Sequence, residues 1–343
     1  MRAAVETLLL KMGMSEDDAK LSADVLIQSD LRGVETHGVS NMLRVYVDWY
    51  SKGILNPRPN IRVLRESAVT ATLDGDAGLG IQTAPRAMQL AIEKAERHGM
   101  GSVSVQNGGH VGMLSYHAML PLEHDMIGMC MSAGSVRLSL LPTFGAVPRF
   151  GTNPLAWAAP ARDMPPFVFD IATSQVAGNK LGLAARVGAM LEPGWIAGLD
   201  GAPIMHETPM PDPGQYYVLP FGGTRENGSH KGYGFASVVE ILCQILSGNG
   251  ASFNNQGRMG QHFMAYKISA FTDVEKFKDD MDKFLEGLVN TPPAPGHERV
   301  LYPGLPEHEE AELRLAEGIP YHREVIDWFQ SISAELELGL ELP

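Results

Sequence analysis

Cysteine is nearly absent. The 343 residues contain two, Cys130 and Cys243. Both sit in apolar runs, so no disulfide framework is expected, and a reduced compartment, the cytoplasm, is the expected setting. Long apolar runs are missing too. The longest near the start is "TLLL", too short for a signal-peptide core or a membrane span. Basic charge is in deficit: 27 Lys and Arg stand against 40 Asp and Glu, a net charge of −13. That argues against a nucleic-acid partner, which needs a basic surface. It leaves room for a small anionic substrate, since a local basic pocket can sit inside an acidic protein. Internal repeats and low-complexity segments are absent as well. What is present is the 44% apolar content of an ordinary globular protein, with length for one large domain or two smaller ones.

The first sixty residues read as helical. "SEDDAKLSADVLIQSDL" opens with Ser15 as a cap and Asp18 at the capping-box position. A second helical pattern runs from about Val39 to Lys52, before the rigid connector "NPRPN". Then the texture changes. "AVTATLDG" and "SVSVQN" read as strands around a helix, "TAPRAMQLAIEKAERHG". From Asp125 onward come short apolar runs, "MIGMCMSA", "LAWAAPA" and "PFVFDIAT", joined by connections mostly too short for parallel crossovers. The expected fold is α/β, with a mixed, largely antiparallel sheet. "YGFASVVEILCQILSG" reads as a buried helix closed by Gly248, and helices return at roughly 273–290, 307–317 and 320–335. Residues 250–262 read as a mobile loop. The expected division is a helical segment, 1–62, packing with C-terminal helices, 305–343, beside an α/β region, 63–304.

Familiar nucleotide motifs fail on spacing. "GDAGLG" at 75–80 is GxxGxG, not the GxGxxG of a Rossmann turn, and no acidic residue follows at the required distance. "GTRENGSHK" puts Ser229 where a phosphate-binding loop needs lysine. His110, His117 and His124 are spaced by seven, but no carboxylate or cysteine completes a ligand set, so no metal site is expected.

Four stretches carry chemistry. In "RGVETHGVSNMLRVY", His37 stands where a helix should begin, and an anionic substrate beside it would favour its protonated form. Arg44, seven residues on, can share a helical face with it. The alternative is that Thr36 caps a helix and His37 is an ordinary boundary residue. In "QNGGHVGM", three glycines around His110 let a flat ligand approach the backbone, though taken alone a turn histidine with a satisfied hydrogen bond is the simpler reading. "FGTNPLAWAAP" and "FVFDIATS" present Thr152, Asn153, Asp170, Thr173 and Ser174, groups suited to ribose hydroxyls and amides and equally to turns. "LPFGGTRENGSHKGYGF" brings Lys231 to the start of an apolar helix, where a cation and free N–H groups suit a phosphate.

Together these stretches resemble the NAD(P)-dependent malate/L-lactate dehydrogenases that lack a Rossmann fold, a family that includes ureidoglycolate, sulfolactate, diketogulonate and piperideine-carboxylate oxidoreductases. The blocks "GVETHG", "QNGGHVG", "FGTNP", "FDIATS", "LPFGG…HKGYG", "LYPG" and "GIPY" stand in the family's order between about Asp30 and Tyr321. The resemblance implies a homodimer, NAD or NADP as cofactor, and a small anionic 2-hydroxy or 2-oxo acid as substrate. It implies that His37 or His110 handles the proton. It places Ser132, Asp170 through Ser174, His230, Lys231, Gly232, Pro303 and Gly304 on cofactor-binding segments. Asn41 and Val45 stand where many members carry arginine and tyrosine, and Leu305 where many carry glutamate, which leaves Arg44 as the candidate for the substrate carboxylate. The expected reaction is hydride transfer between nicotinamide and C2 of the acid. The alternatives are a noncatalytic nucleotide-binding relative and a histidine-metal hydrolase.

Overall fold

The structure, a computed structural model, describes residues 1–135 and 137–340. The end of the expected segment 305–343 therefore lies outside the described residues.

Three helices open the chain: α1 (Arg2–Lys11), α2 (Glu16–Leu31) and α3 (Arg44–Ser51). Ser15 caps α2 as its spacing predicts, accepting from the Asp18 N–H at 3.2 Å while its hydroxyl donates to the Asp18 carboxylate. The second helical pattern is divided. Glu35–His37 is a 3₁₀ turn, Val39–Leu43 is a π turn, and only then does α3 begin.

The central sheet is built from β1 (Arg62–Glu66), β2 (Thr70–Asp74), β3 (Met100–Gly108), β4 (Met126–Ala133), β5 (Leu155–Ala159) and β6 (Phe167–Ile171). Between them lie α4 (Gly80–His98), closed by left-handed Gly99, and α5 (Leu114–Met119). A small lobe follows: α6 (Gly178–Val187) and the two-residue strands β7 (Met190–Leu191), β8 (Ile196–Ala197), β9 (Thr208–Pro209) and β10 (Tyr217–Val218), paired β7–β9 and β8–β10. Then come α7 (Ser229–Glu240), extended by a π turn at Ile241–Ile245, and β11 (Met259–Lys267). The chain ends with α8 (Val274–Val289), α9 (Leu305–Glu317) and α10 (Arg323–Glu335).

The sheet order is β1-β2-β3-β11-β4-β5-β6. Only β2 and β3, joined by α4, are parallel; the other pairs are antiparallel. The sheet is thus mixed and largely antiparallel, as the short connections require. Strand period separates its faces. Cys130, Ala156, Ala158, Phe263 and Ala265 pack with α4 and α5. Met129, Met131 and Leu155 point the other way, against Val239 and Cys243. Burying a side chain such as Phe263 contributes roughly 1.5–3 kcal/mol. A separate apolar cluster joins α1, α2 and α3 to Val325 and Phe329 of α10.

Two expectations need correction. Residues 259–262, expected in a mobile loop, begin β11, the strand at the centre of the sheet. The helix through Gly248 is buried on one side only: Phe235, Val238, Ile241 and Ile245 are all about half exposed. Its apolar residues surround the helix, so composition could not say which side meets the sheet. No described helix is long and apolar enough to cross a membrane.

Candidate active site

A cleft of about 600 Å³ opens between the helical cluster and the sheet. His37 reaches it from the 3₁₀ turn after α2, and His110 from the turn after β3. Their rings stack with centroids 5.7 Å apart and planes 13° from parallel. Two residues far apart in sequence thus form one imidazole pair.

Each ring is held on one edge. The Thr36 hydroxyl lies 2.8 Å from His37 Nδ1. The Gly112 N–H donates to His110 Nδ1 at 3.2 Å, and the Tyr46 hydroxyl lies 2.7 Å from the same atom. A backbone N–H can only donate, so Nδ1 accepts and a neutral His110 carries its proton on Nε2. Burial lowers both histidines, His37 to about 4 and His110 to about 3, the charge of His37 adding to the shift of His110. Burial thus favours the neutral form of both rings, and the protonated His37 expected beside a substrate anion would have to be drawn out by that anion's own charge.

The turn before His110 is fixed by Gln261 of β11, whose amide donates to the Gly109 carbonyl at 2.9 Å. Gly108 and Gly109 pack so closely that a Cβ on Gly108 would collide with that amide. Here the glycines serve close packing, since of the three only Gly112 has positive φ, at 68°.

Arg32, Asp170 and Glu307 add charge to the cleft wall. Burial lowers Arg32 somewhat, opposed by Glu307 and Asp170, but a guanidinium remains charged. Asp170 lines the cleft with part of its surface open, and the partial burial of its carboxyl raises its pKa while its Oδ2 accepts the Ser115 N–H at 2.7 Å. Ser132 and Asn153 are almost fully buried, and Ser132 Oγ and Asn153 Oδ1 have no partner among the described residues. Both residues line the same cleft. Buried polar atoms without partners are rare, and at a cleft they mark groups kept for a ligand.

Comparison with known proteins agrees with this geometry. Residues 1–330 match the family model described as malate/L-lactate dehydrogenase. A malate dehydrogenase of Pyrococcus abyssi is 38% identical over 98% of this chain and 94% of its own length. The L-sulfolactate dehydrogenase of Methanocaldococcus jannaschii is 32% identical over 97% of this chain and 95% of its own. The solved malate dehydrogenase of Entamoeba histolytica superposes with a TM-score of 0.92 at 32% identity, covering 100% of this chain and 97% of that one.

The chain belongs to the malate/L-lactate dehydrogenase family. It is a 2-hydroxy acid oxidoreductase, and the family implies a nicotinamide cofactor. Ser132 Oγ at the end of β4 and Asn153 Oδ1 just before β5, with Thr152 next to Asn153, fit such a group by the chemistry of their donors and acceptors.

The other expected residues of this dehydrogenase divide. Thr173 and Ser174 do not line the cleft; their hydroxyls donate to the Thr152 and Val176 carbonyls. His230 and Lys231 are exposed at the start of α7, next to Ser229, which lines a second cavity of about 330 Å³. Gly232 packs on Phe221 and Gly304 on Val168. The Pro303 carbonyl accepts the Val168 N–H at 3.0 Å. Arg44 lies outside the cleft: it pairs with Glu324 at 2.9 Å and sits over the Trp328 ring. The cause is the π turn at Val39–Leu43, in which seven residues no longer complete two α-helical turns. Three contributors escaped the sequence reading. Arg32 had a signal, since it opens the quoted block. Gln261 and Glu307 had none.

Proposed function

We propose that this dehydrogenase binds a 2-oxo acid between its two histidines, with Arg32 holding the carboxylate. What supports the reading is the stacked His37–His110 pair in a cleft that Arg32 also lines, where Ser132 Oγ and Asn153 Oδ1 have no partner among the described residues. Ser132, Thr152 and Asn153 would hold the nicotinamide cofactor, which when bound gives or takes the hydride at the substrate's C2. In the oxidative direction the 2-hydroxyl loses its proton, and a histidine receives it.

The two histidines divide the work. A proton added to His110 Nδ1 would use up the lone pair that accepts the Gly112 N–H and set two donors against each other, so His110 resists protonation and serves as an Nε2–H donor to the substrate oxygen. His37 faces no backbone donor at Nδ1, and it carries the proton. A bound carboxylate beside it raises its pKa from about 4 toward neutrality.

The reading is tested by incubating the protein with oxaloacetate, pyruvate or sulfopyruvate and following oxidation of NADH and of NADPH. Absence of turnover with every acid and both cofactors would sink it. Arg32→Met is expected to raise KM for the oxo acid by about 10- to 100-fold, the loss of one charged hydrogen bond of about 1.5–3 kcal/mol. Arg44→Met, outside the cleft, should leave that KM unchanged. Equal effects of the two substitutions would remove Arg32 from the assignment.

The acting form is a homodimer in the cytoplasm, its two cysteines free and buried. Phe235, Val238, Ile241 and Ile245 form an exposed apolar stripe suited to a second copy. Val238→Glu with Ile245→Glu is expected to convert a dimer into a monomer by light scattering. A wild-type protein that is monomeric at micromolar concentration would refute the assembly. The helical segment 1–62 with the described part of 305–343, which ends at 340, and the α/β region 63–304 act as the two halves of the cleft.

A further inference from the structure

We infer that Asp30 is a positioning residue for His37, clamping the turn that carries it to the C-terminal part of the chain. Asp30 lies at the end of α2 and is completely buried. Its Oδ2 accepts the Val39 N–H at 2.9 Å, two residues beyond His37, and the Tyr321 hydroxyl at 3.0 Å. Its carboxylate fills the space beside Gly38, where any Cβ would collide with it. The turn is thus gripped at the residues on the far side of His37, by a side chain that cannot move without moving Gly38.

A second set of bonds grips the near side. Arg314 of α9 donates to the Asp30 carbonyl at 2.6 Å and pairs with Glu35 at 2.7 Å, and Glu35 begins the 3₁₀ turn. The same helix carries Glu307 into the cleft. One helix therefore both lines the site and fixes the histidine turn.

The chemical argument is one of unequal cost. A carboxylate held out of water is expensive, and Asp30 Oδ1 has no partner among the described residues. Burial raises its pKa to about 7, against hydrogen bonds that lower it. An apolar side chain of similar volume would fill the space at less expense, but it could not accept the Val39 N–H. The acid is retained where its acceptor fixes the backbone next to His37. A displacement of that ring by about 1 Å would cost roughly 100-fold in rate.

This inference rests on His37 as the group that carries the proton, and a double-mutant cycle separates the two claims. Asp30→Ala is expected to lower kcat by about 10- to 100-fold while the NADH dissociation constant, from fluorescence titration, changes less than about 2-fold. Asp30→Asn, which keeps a carbonyl oxygen for the Val39 N–H, should recover most of the rate. Tyr321→Phe, which removes one bond and keeps the ring, should lower kcat by about 3-fold and serves if Asp30→Ala does not fold. In a His37→Ala background, either substitution should have no further effect on kcat. An undiminished loss in that background, or a loss that tracks NADH affinity, overturns the positioning role. Near-native turnover of His37→Ala alone would instead overturn the reading beneath it.

Discussion

His37→Gln should lower kcat by about 100- to 10,000-fold, the contribution of a general acid–base group. The substitution keeps size and polarity but cannot carry a proton through the cycle. The pH profile should change with it. In the wild type, kcat/KM for oxo-acid reduction falls as pH rises through the pKa of the substrate-bound histidine; in His37→Gln that limb should flatten. His110→Gln should behave differently. Glutamine retains an N–H donor, so a smaller loss is expected, with the pH limb preserved. His110→Ala, which removes the donor, should again cost about 100-fold or more. The two rings stack 5.7 Å apart, so each substitution also removes a neighbour of the other. Thermal stability should change modestly, because both rings face a cleft rather than a closed core. Comparable losses with the limb lost in both glutamine variants would show that the histidines share the proton. An unaffected His37→Gln would move the proton to His110.

The pairing of the two histidines was invisible in the sequence for a definite reason. The histidines are in "THG" and "GGHVG", and both blocks announce themselves by glycine. Their stacking depends on where the turn after α2 meets the turn after β3, a tertiary fact. Elements such as α4 and β4 were legible from pattern alone, α4 by an apolar face repeating at 3.6 residues and β4 by a short continuous apolar run buried on both sides. β11 was not. After its first methionine "MGQHFMAYK" runs glycine, glutamine and histidine, which read as loop. In the structure those polar groups find partners inside the sheet: Gln261 Nε2 donates to the Gly109 carbonyl, and the His262 ring meets the hydroxyls of Ser102 and Ser104. A central strand with polar partners across it loses its hydrophobic signature. Arg44 failed for the opposite reason. Its seven-residue spacing from His37 was a valid helical argument, undone by a π turn that no residue type in "VSNML" declares. Arg32, five residues before His37, lines the cleft that Arg44 does not reach.

The unliganded protein is expected to lose stability steeply as pH falls from about 6.5 toward 4. Four histidines are held neutral by burial: His37, His117 and His262 at about 4, and His110 at about 3, each against an ordinary value of 6.5. A lowered pKa means that the unfolded chain binds the proton first. The stability each contributes is therefore complete above pH 6.5 and is lost as pH falls toward the folded value. Asp30 acts with the opposite sign. Its pKa of about 7, against 3.8, makes the folded state take a proton first, so acidification returns stability over the same window. Asp170 is raised too and moves in the same direction. The four histidine protons outnumber those that the two carboxyls take up, and over two pH units each unmatched proton is worth about 3 kcal/mol at about 1.4 kcal/mol per pH unit. That is a large share of the roughly 5–15 kcal/mol that holds most domains together. Urea denaturation of the unliganded protein at pH 7.5, 6.0 and 5.0 should show the midpoint falling at each step. His262→Gln, far from the cleft histidines in role, removes one titrating ring and should flatten the dependence by about 1.4 kcal/mol per pH unit. A midpoint that holds steady or rises on acidification would mean that these rings are not kept neutral by burial, and the neutral pair in the cleft would fall with them.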